Sequence, residues 1–274
     1  MPRYYGPRRG KSAKRTLNLV SRKKRNTMRS FSNTDSEGNA FTIGPRALTV
    51  RGDTGAYCLF SPTANYLGGN AVEASTRNTN QPYIRGFKEN MHVRSNTAVA
   101  WQWRRICFTI KGPDLRTYVE APQILPVNEQ LPYYNDNGMQ RLWFNQVPNR
   151  GTNSVTEWND LIFKGRQGLD WDDLLSAPVD TNQVTLKSDK TRIIRSGNNN
   201  GVCMEMNRWY PMNATLYYEQ DESGGGIDWN FYSAVSNKGM GDYYILDIIN
   251  GNLDATDADL LTITATSSLY WHEK

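Results

Sequence analysis

The most strand-like stretch of the chain is Trp101-Gln102-Trp103-Arg104-Arg105-Ile106-Cys107-Phe108-Thr109-Ile110, and the breaker Lys111-Gly112-Pro113 follows it. Alternate residues of a strand point to opposite faces, and here both faces are largely apolar. This pattern is typical of an interior strand that is covered on both sides. Two interpretations are open for Trp103 and Arg105. They form either a patch that stacks on bases and binds phosphate, or, as we favour for the tryptophans, a core beside snorkelling arginines.

Similar runs recur along the chain between turn-forming residues. The 22 glycines and 12 prolines favour many turns over long helices. One helix of about two turns is predicted, with Asp170 as its N-cap and an end before Pro178. The rest reads as about eight to ten short strands without a βαβ rhythm, which predicts an all-β fold, an antiparallel β-sandwich or jelly roll with long loops. Strands are predicted at 47–50, 56–60, 83–93, 98–110, 139–147, 155–163, 183–186, 191–195, 202–210, 215–219, 242–249 and 260–266, and long loops at 61–81 and 113–137.

The first thirty residues differ in charge from the rest of the chain. They hold eleven Lys or Arg and no Asp or Glu, whereas the other 244 residues hold 21 basic and 27 acidic residues. A block of like charges buries too little apolar surface to offset its ordering entropy. Residues 1–35 are therefore predicted to form a disordered basic arm, followed by one domain at 36–274. The basic residues of the arm are Arg3, Arg8, Arg9, Lys11, Lys14, Arg15, Arg22, Lys23, Lys24, Arg25 and Arg29.

A polycationic arm predicts a polyanionic partner. Phosphate backbones are the natural choice, because their neutralisation releases counterions whatever the base sequence. All eleven basic residues are therefore candidate nucleic-acid contacts. The densest cluster, Arg22-Lys23-Lys24-Arg25, is also a candidate nuclear import signal, which would add import receptors to the partners. A generic solubilising tail is the simpler alternative.

No pattern in the sequence indicates an active site. The chain has two histidines, His92 and His272, and no motif of a metalloprotease, serine hydrolase or paired-histidine endonuclease. We therefore expect a protein that is not an enzyme and that has no cofactor and no metal. The carboxylates Asp254, Asp257 and Asp259 leave a cation site open, although their spacing is not that of a calcium loop.

Cysteine usage and hydropathy bear on the compartment. Three cysteines without CxxC spacing argue against a disulfide framework and a zinc site, and they suit a reducing compartment. No run approaches about eighteen apolar residues, so no membrane span is expected.

Six blocks follow one another from about residue 85 to residue 274. They are RGFKEN at 85–90, WQWRRICFTIKG at 101–112, KTRIIRSG at 190–197, YPMN at 210–213, GMGDYY at 239–244 and LYWHEK at 269–274. In this combination and order they resemble the capsid proteins of genomoviruses, which are small viruses with circular single-stranded DNA. The resemblance covers most of the body, whereas residues 31–80 do not align.

The resemblance implies a single jelly-roll coat protein, about 60 copies of which close an icosahedral shell around circular single-stranded DNA. The expected partners are that DNA and identical subunits, and the expected locations are the virion and, during assembly, the host nucleus. The main alternative is a cellular single-stranded nucleic-acid-binding β-domain that forms no shell. A jelly-roll enzyme or lectin would need a pocket of clustered histidines or carboxylates, which the sequence does not indicate.

Overall fold

The structure is a computed structural model that describes residues 21–69, 72–111, 115, 134–150 and 153–274. In these residues the fold is all-β, as predicted, with fifteen strands, one α-helix, α1 (Asn153–Ile162), and one short 3-10 helix. The strands are β1 (Arg22–Thr34), β2 (Ala40–Gly44), β3 (Leu48–Arg51), β4 (Ala56–Phe60), β5 (Tyr83–Ser95), β6 (Trp101–Ile110), β7 (Tyr134–Asn135), β8 (Gly138–Met139), β9 (Arg141–Trp143), β10 (Thr185–Ile194), β11 (Cys203–Thr215), β12 (Tyr218–Ser223), β13 (Gly226–Ser233), β14 (Asp242–Gly251) and β15 (Leu260–Glu273).

Two sheets carry the long strands. The first sheet has the order β11-β5-β15-β1-β2, with β3 added to β15 and β9 added to β1. The second sheet has the order β10-β6-β14-β4. The strand pairs are antiparallel except for β1 with β9. Two hairpins, β7 with β8 and β12 with β13, stand apart from these sheets.

Strand β6 is covered on both faces, as its sequence predicts. Trp101 and Trp103 face the first sheet and pack in one apolar cluster with Val93 and Ile263 of that sheet. Phe108 belongs to a second cluster, which α1 and the segment after it cover from the other side. The second sheet is therefore the middle layer, and the outward face of the first sheet is left to solvent.

The N-terminal boundary predicted at residue 35 is wrong. Arg22–Thr34 is strand β1, which pairs with β15 over its first eight residues. Alternate positions of β1, such as Lys24 and Met28, are buried, so one face of the charged run packs inside the fold. Its partner strand lies about 240 residues away, and the local charge count contains no signal of that pairing. Residues 1–20, the remainder of the predicted disordered arm, lie outside the described residues.

The predicted helix after Asp170 is also wrong. Residues 170–177 form turns, in which Asp170 accepts a hydrogen bond from the backbone N–H of Arg166 at 2.8 Å. The carboxylate of Asp173 accepts one from the backbone N–H of Leu175 at 2.9 Å. Such side-chain-to-backbone hydrogen bonds stabilise turns as well as helix N-caps. Aspartates at these positions therefore do not distinguish a helix start from a turn.

The segment predicted as a strand at 155–163 is instead largely α1. Its buried residues Val155, Trp158 and Ile162 recur at the spacing of one helix face, and they pack against the second sheet. The bulky aromatic and branched residues favoured a strand, but their period was helical. In the described residues no helix is long and apolar enough to cross a membrane.

Candidate nucleic-acid interface

Six basic side chains lie on the outward face of the first sheet, and we call this surface the basic face. Three come from β1 and three from β5, two strands separated only by β15. In both strands the outward positions alternate with buried ones, which fixes the side of the sheet to which each side chain points. The six residues are Lys23, Arg25, Arg29, Arg85, Lys88 and Arg94.

The strand register gathers these cations with polar neighbours. Arg25 lies opposite Tyr270 of β15, and Lys88 lies between Ser268 of β15 and Trp209 of β11. Among the described outward residues of β1, β5, β15 and β11, the only carboxylate is that of Glu205. The face therefore carries six cations against one anion, an excess that attracts a polyanion.

Aromatic side chains stand beside the cations. Trp209 is 48% exposed, and its ring meets that of Tyr270 edge-on, with centroids 5.7 Å apart. Gly86 makes this placement possible, because a Cβ there would come within 2.6 Å of the Trp209 ring. Exposed aromatic rings within a cationic surface are what single-stranded nucleic acids bind, with bases on the rings and phosphates on the cations.

The pKa of His272 reflects the charge of this surface. His272 lies opposite Lys23, and a hydrogen bond of 2.8 Å joins its Nδ1 to the Ser21 hydroxyl. Burial lowers its pKa below the ordinary 6.5, and the positive charges of Arg85 and Lys23 lower it further. A nearby anion would act in the opposite direction.

Adjacent lysines of β1 have opposite environments. Lys24 is 4% exposed, and its ammonium group forms a salt bridge with Glu273 at 2.9 Å and donates to the Thr76 carbonyl at 2.7 Å. Lys23 is exposed on the basic face. The prediction that Lys24 contacts nucleic acid is therefore corrected, since its charge is already neutralised inside the fold.

Trp103 and Arg105 lie between the two sheets. Trp103 is 3% exposed and donates from Nε1 to Asp247 at 2.7 Å. Arg105 is 9% exposed, donates from Nε and Nη2 to the two oxygens of Asp247 at 2.5 and 3.0 Å, and also donates to Glu89. This burial favours the core interpretation of the pair over the base-stacking one.

Arg141 completes a buried network of two arginines and two carboxylates, which we call the buried quartet: Glu89, Arg105, Arg141 and Asp247. Arg141 donates to Glu89 at 2.8 Å and to Asp247 at 3.3 Å. Burial alone raises the pKa of Glu89, but the charges of Arg105 and Arg141 outweigh it, and the pKa lies below its usual value. Burial lowers the pKa of Arg105, whereas Asp247 and Glu89 raise it more strongly. The quartet thus pairs two arginines with two carboxylates, and its formal charges balance.

The remaining candidate residues fall on β1 and on the loop before β15. Arg22, Arg25 and Arg29 are exposed on β1, while the basic residues before Ser21 lie outside the described residues. The carboxylate of Asp259 accepts from the backbone N–H of Thr256 within its own loop at 2.7 Å and from the hydroxyl of Thr97, in the loop between β5 and β6, at 2.6 Å. The described residues contain no group of three or more His, Cys, Asp or Glu side chains that could hold a metal ion.

The sequence interpretation missed Arg85, Lys88 and Arg94, which double the number of cations that β1 presents on this face. The available signal was the period of two in β5, where Lys88, His92 and Arg94 alternate with the apolar Met91 and Val93. Their proximity to β1 follows only from the pairing of both strands with β15.

A scan against models of protein families and a search of curated proteins each gave no match. A proposal on function therefore rests on the geometry of the basic face and on the sequence.

Proposed function

We propose that this protein is a viral coat protein, whose copies close a shell around single-stranded DNA. The observation that carries the proposal is the basic face, six cations and one carboxylate on an exposed sheet. Strand β1 of this face directly continues residues 1–20, which hold six further basic residues and no acidic one. The N-terminal segment and β1 together supply cations to one phosphate backbone.

The strand order supports a jelly roll as the body of this coat protein. Four strands of each large sheet can be numbered one to eight along the chain: β1, β4, β5, β6, β10, β11, β14 and β15. The four-stranded part of the first sheet then has the order 1-8-3-6, and the second sheet has the order 2-7-4-5. This is the order of two interlocked Greek keys, the arrangement of jelly rolls that many capsid proteins use.

The charge available in a shell supports the packaging role. Each copy offers six cations before Ser21 and six on the basic face, so about 60 copies would offer roughly 700 positive charges. Such charges bind phosphates without reading the base sequence. The aromatic rings of Trp209 and Tyr270 supply a preference for unpaired bases, because duplex bases cannot stack on them.

Electron microscopy of the purified chain, combined with nuclease digestion, tests this proposal. We expect closed particles of uniform size that contain nuclease-protected DNA. A monomer that binds single-stranded DNA in stable one-to-one complexes, seen by light scattering, would instead support the cellular DNA-binding domain. A monomer without affinity for DNA would contradict both functions.

Nuclear import through Arg22-Lys23-Lys24-Arg25 stays a separate proposal. The cluster forms the start of β1, and Lys24 is buried in the folded chain. An import receptor would therefore bind this segment before β1 joins its sheet. Replacement of the four residues by alanine in a fluorescent fusion should reduce nuclear accumulation, and unchanged accumulation would remove the import role.

A further inference from the structure

A groove opens between β10 and β11, the edge strands of the two sheets. It holds a cavity of about 480 Å³, within the range of roughly 300–1,000 Å³ that is usual for small-ligand sites. Residues of β6 form its floor. Its walls and rim include Lys187, Lys190, Arg192, Arg208, Trp209 and Tyr210.

The cations of this groove point where a sandwich normally places apolar side chains. Lys190 and Arg192 lie opposite Arg105 and Trp103 of β6, whose side chains face the first sheet. Arg208 lies between the inward residues Met206 and Tyr210 of β11. Three positive charges therefore converge on one opening.

The structure provides little to neutralise these charges. Within the described part of the chain, neither Lys190 nor Arg208 forms a salt bridge, and Arg192 donates only to the sulfur of Met206 at 3.6 Å. No carboxylate is among the described residues that line the groove, and Glu89 and Asp247, which bind Arg105 at its floor, are committed to the buried quartet. The groove thus keeps an uncompensated positive charge next to the exposed Trp209 ring.

We propose that this groove is a second, distinct nucleotide site, which binds a phosphate through Lys190, Arg192 and Arg208 and stacks the attached base on Trp209. The inference rests on the proposed single-strand-binding function and extends it to the open edge of the sandwich. Trp209 belongs to both surfaces, so a strand lying on the basic face reaches the groove without a gap. The same chemistry would also accept a free nucleotide.

Two alternatives to a nucleotide site would also explain the groove cations, and each predicts a different experimental outcome. In the first, inward charges on edge strands prevent sheets from adding strands of foreign chains. In the second, the groove binds the acidic β12–β13 hairpin of a second copy, which carries Glu219, Asp221, Glu222 and Asp228 and matches the groove in charge. The protective role requires no ligand, and the docking role requires a protein partner.

Photo-crosslinking with the full chain tests the site. A short oligothymidylate that contains 5-iodouracil is irradiated with the protein, and mass spectrometry locates the crosslinked peptides. We expect crosslinks at Tyr210, whose side chain points into the groove, and their loss on competition with unlabelled oligothymidylate. Competition by thymidine monophosphate at similar concentration would assign the site to free nucleotides. Crosslinks confined to residues 1–29 and to the basic face, Trp209 included, would overturn the groove site and leave the proposed function intact, whereas the absence of any crosslink would contradict both.

A matched pair of double variants gives a second, independent measurement. Salt dependence is measured as the slope of the logarithm of the binding constant against the logarithm of the salt concentration. Lys190→Ala with Arg192→Ala should reduce the magnitude of this slope for oligothymidylate by about 1.4, because each phosphate contact to a single strand contributes about 0.7. The control, Lys164→Ala with Arg166→Ala, removes two exposed cations on the far side of the second sheet and should leave the slope unchanged. Trp209→Ala should weaken binding about fivefold or more.

Equal slopes for the two double variants would overturn the proposal. A loss of particle assembly without any change in oligothymidylate binding would also overturn it, and would assign the groove to the hairpin of a neighbouring copy. Thermal unfolding of each variant shows whether the fold is intact, which we expect because all five substituted side chains are exposed.

Discussion

The buried quartet and the basic face use the same residue types in opposite ways. In the quartet, Arg105 and Arg141 are almost fully enclosed and bind two carboxylates between the sheets. On the basic face, Arg25 and Arg94 are exposed, and Glu205 is the one carboxylate among the described outward residues of the same sheet. The comparison teaches that the number of basic residues does not locate a binding surface. The decisive property is whether the fold supplies each cation with its own anion.

Breaking the buried quartet should have the largest effect on stability. Glu89→Gln leaves the charges of Arg105 and Arg141 buried without full compensation, so we expect a loss of about 3–5 kcal/mol in the free energy of unfolding. Denaturant unfolding followed by tryptophan fluorescence measures it. The matched control on the basic face is Glu205→Gln, which should change stability by less than about 0.5 kcal/mol. Similar effects of both variants would contradict the distinction between the two regions.

The same network predicts how stability depends on pH. Folding lowers the pKa of Glu89 below 4.5, so its contribution to stability is complete above the pKa of the unfolded chain. The contribution is lost as the pH falls through the lower pKa of the folded state. Unfolding curves of the wild type should therefore weaken steeply in acid, and those of Glu89→Gln should weaken less. Parallel pH profiles would show that folding does not lower the pKa of Glu89.

Two N-terminal deletions separate the tail from the sheet. Removal of residues 1–20 should leave a folded body. It should reduce the magnitude of the slope of log K against log salt concentration for single-stranded DNA by about 4, because each of the six lost cations contributes about 0.7 to that slope. Removal of residues 1–34 also deletes β1, and with it the buried Met28 and Phe31, so this chain should not fold. Circular dichroism and salt titrations measure both results. A folded product of the longer deletion would contradict the place of β1 in the sheet.

These deletions show how much of the account could be predicted from sequence. The all-β class followed from strands such as β6 and β14, whose apolar runs are long and well bounded. The role of β1 did not, because it depends on pairing with β15 at the opposite end of the chain. For the same reason Arg85, Lys88 and Arg94 could be recognised as outward residues but could not be placed beside Lys23.

Burial of charge was the second property that sequence could not reveal. Lys23 and Lys24 are adjacent and chemically identical, and only the position of Glu273 decides that one is a salt-bridge partner and the other a surface cation. Trp103 and Arg105 likewise fit both a binding patch and a core until Asp247 and Glu89 are placed next to them.

Neutralising the β1 part of the basic face should have an intermediate effect. The triple variant Lys23→Ala, Arg25→Ala, Arg29→Ala should reduce the magnitude of the slope of log K against log salt concentration for oligothymidylate by about 2. Its stability should change little. The control is Lys164→Ala, Arg166→Ala, Lys238→Ala, which removes three exposed cations elsewhere. If both triple variants reduce the slope equally, nucleic acid binds to general surface charge and not to this face.

His272 should show the smallest effect. Because folding lowers its pKa, the unfolded chain takes up the proton more readily, and stability should fall slightly as the pH falls below 6.5. Bound phosphates near Lys23 and Arg85 should raise the pKa of His272 towards its ordinary value or beyond. NMR titration of the histidine ring, with and without oligothymidylate, measures the change. An unchanged pKa would place the DNA away from this part of the face.

Lysine labelling tests the central contrast most directly. The full chain is treated with an acetylating reagent with and without oligothymidylate, and mass spectrometry measures each site. We predict that DNA protects Lys23 and Lys88, that high salt reverses the protection, and that Lys24 reacts poorly in every sample. Full reactivity of Lys23 and Lys88 in saturated complexes, or ready labelling of Lys24 in the folded protein, would contradict the account.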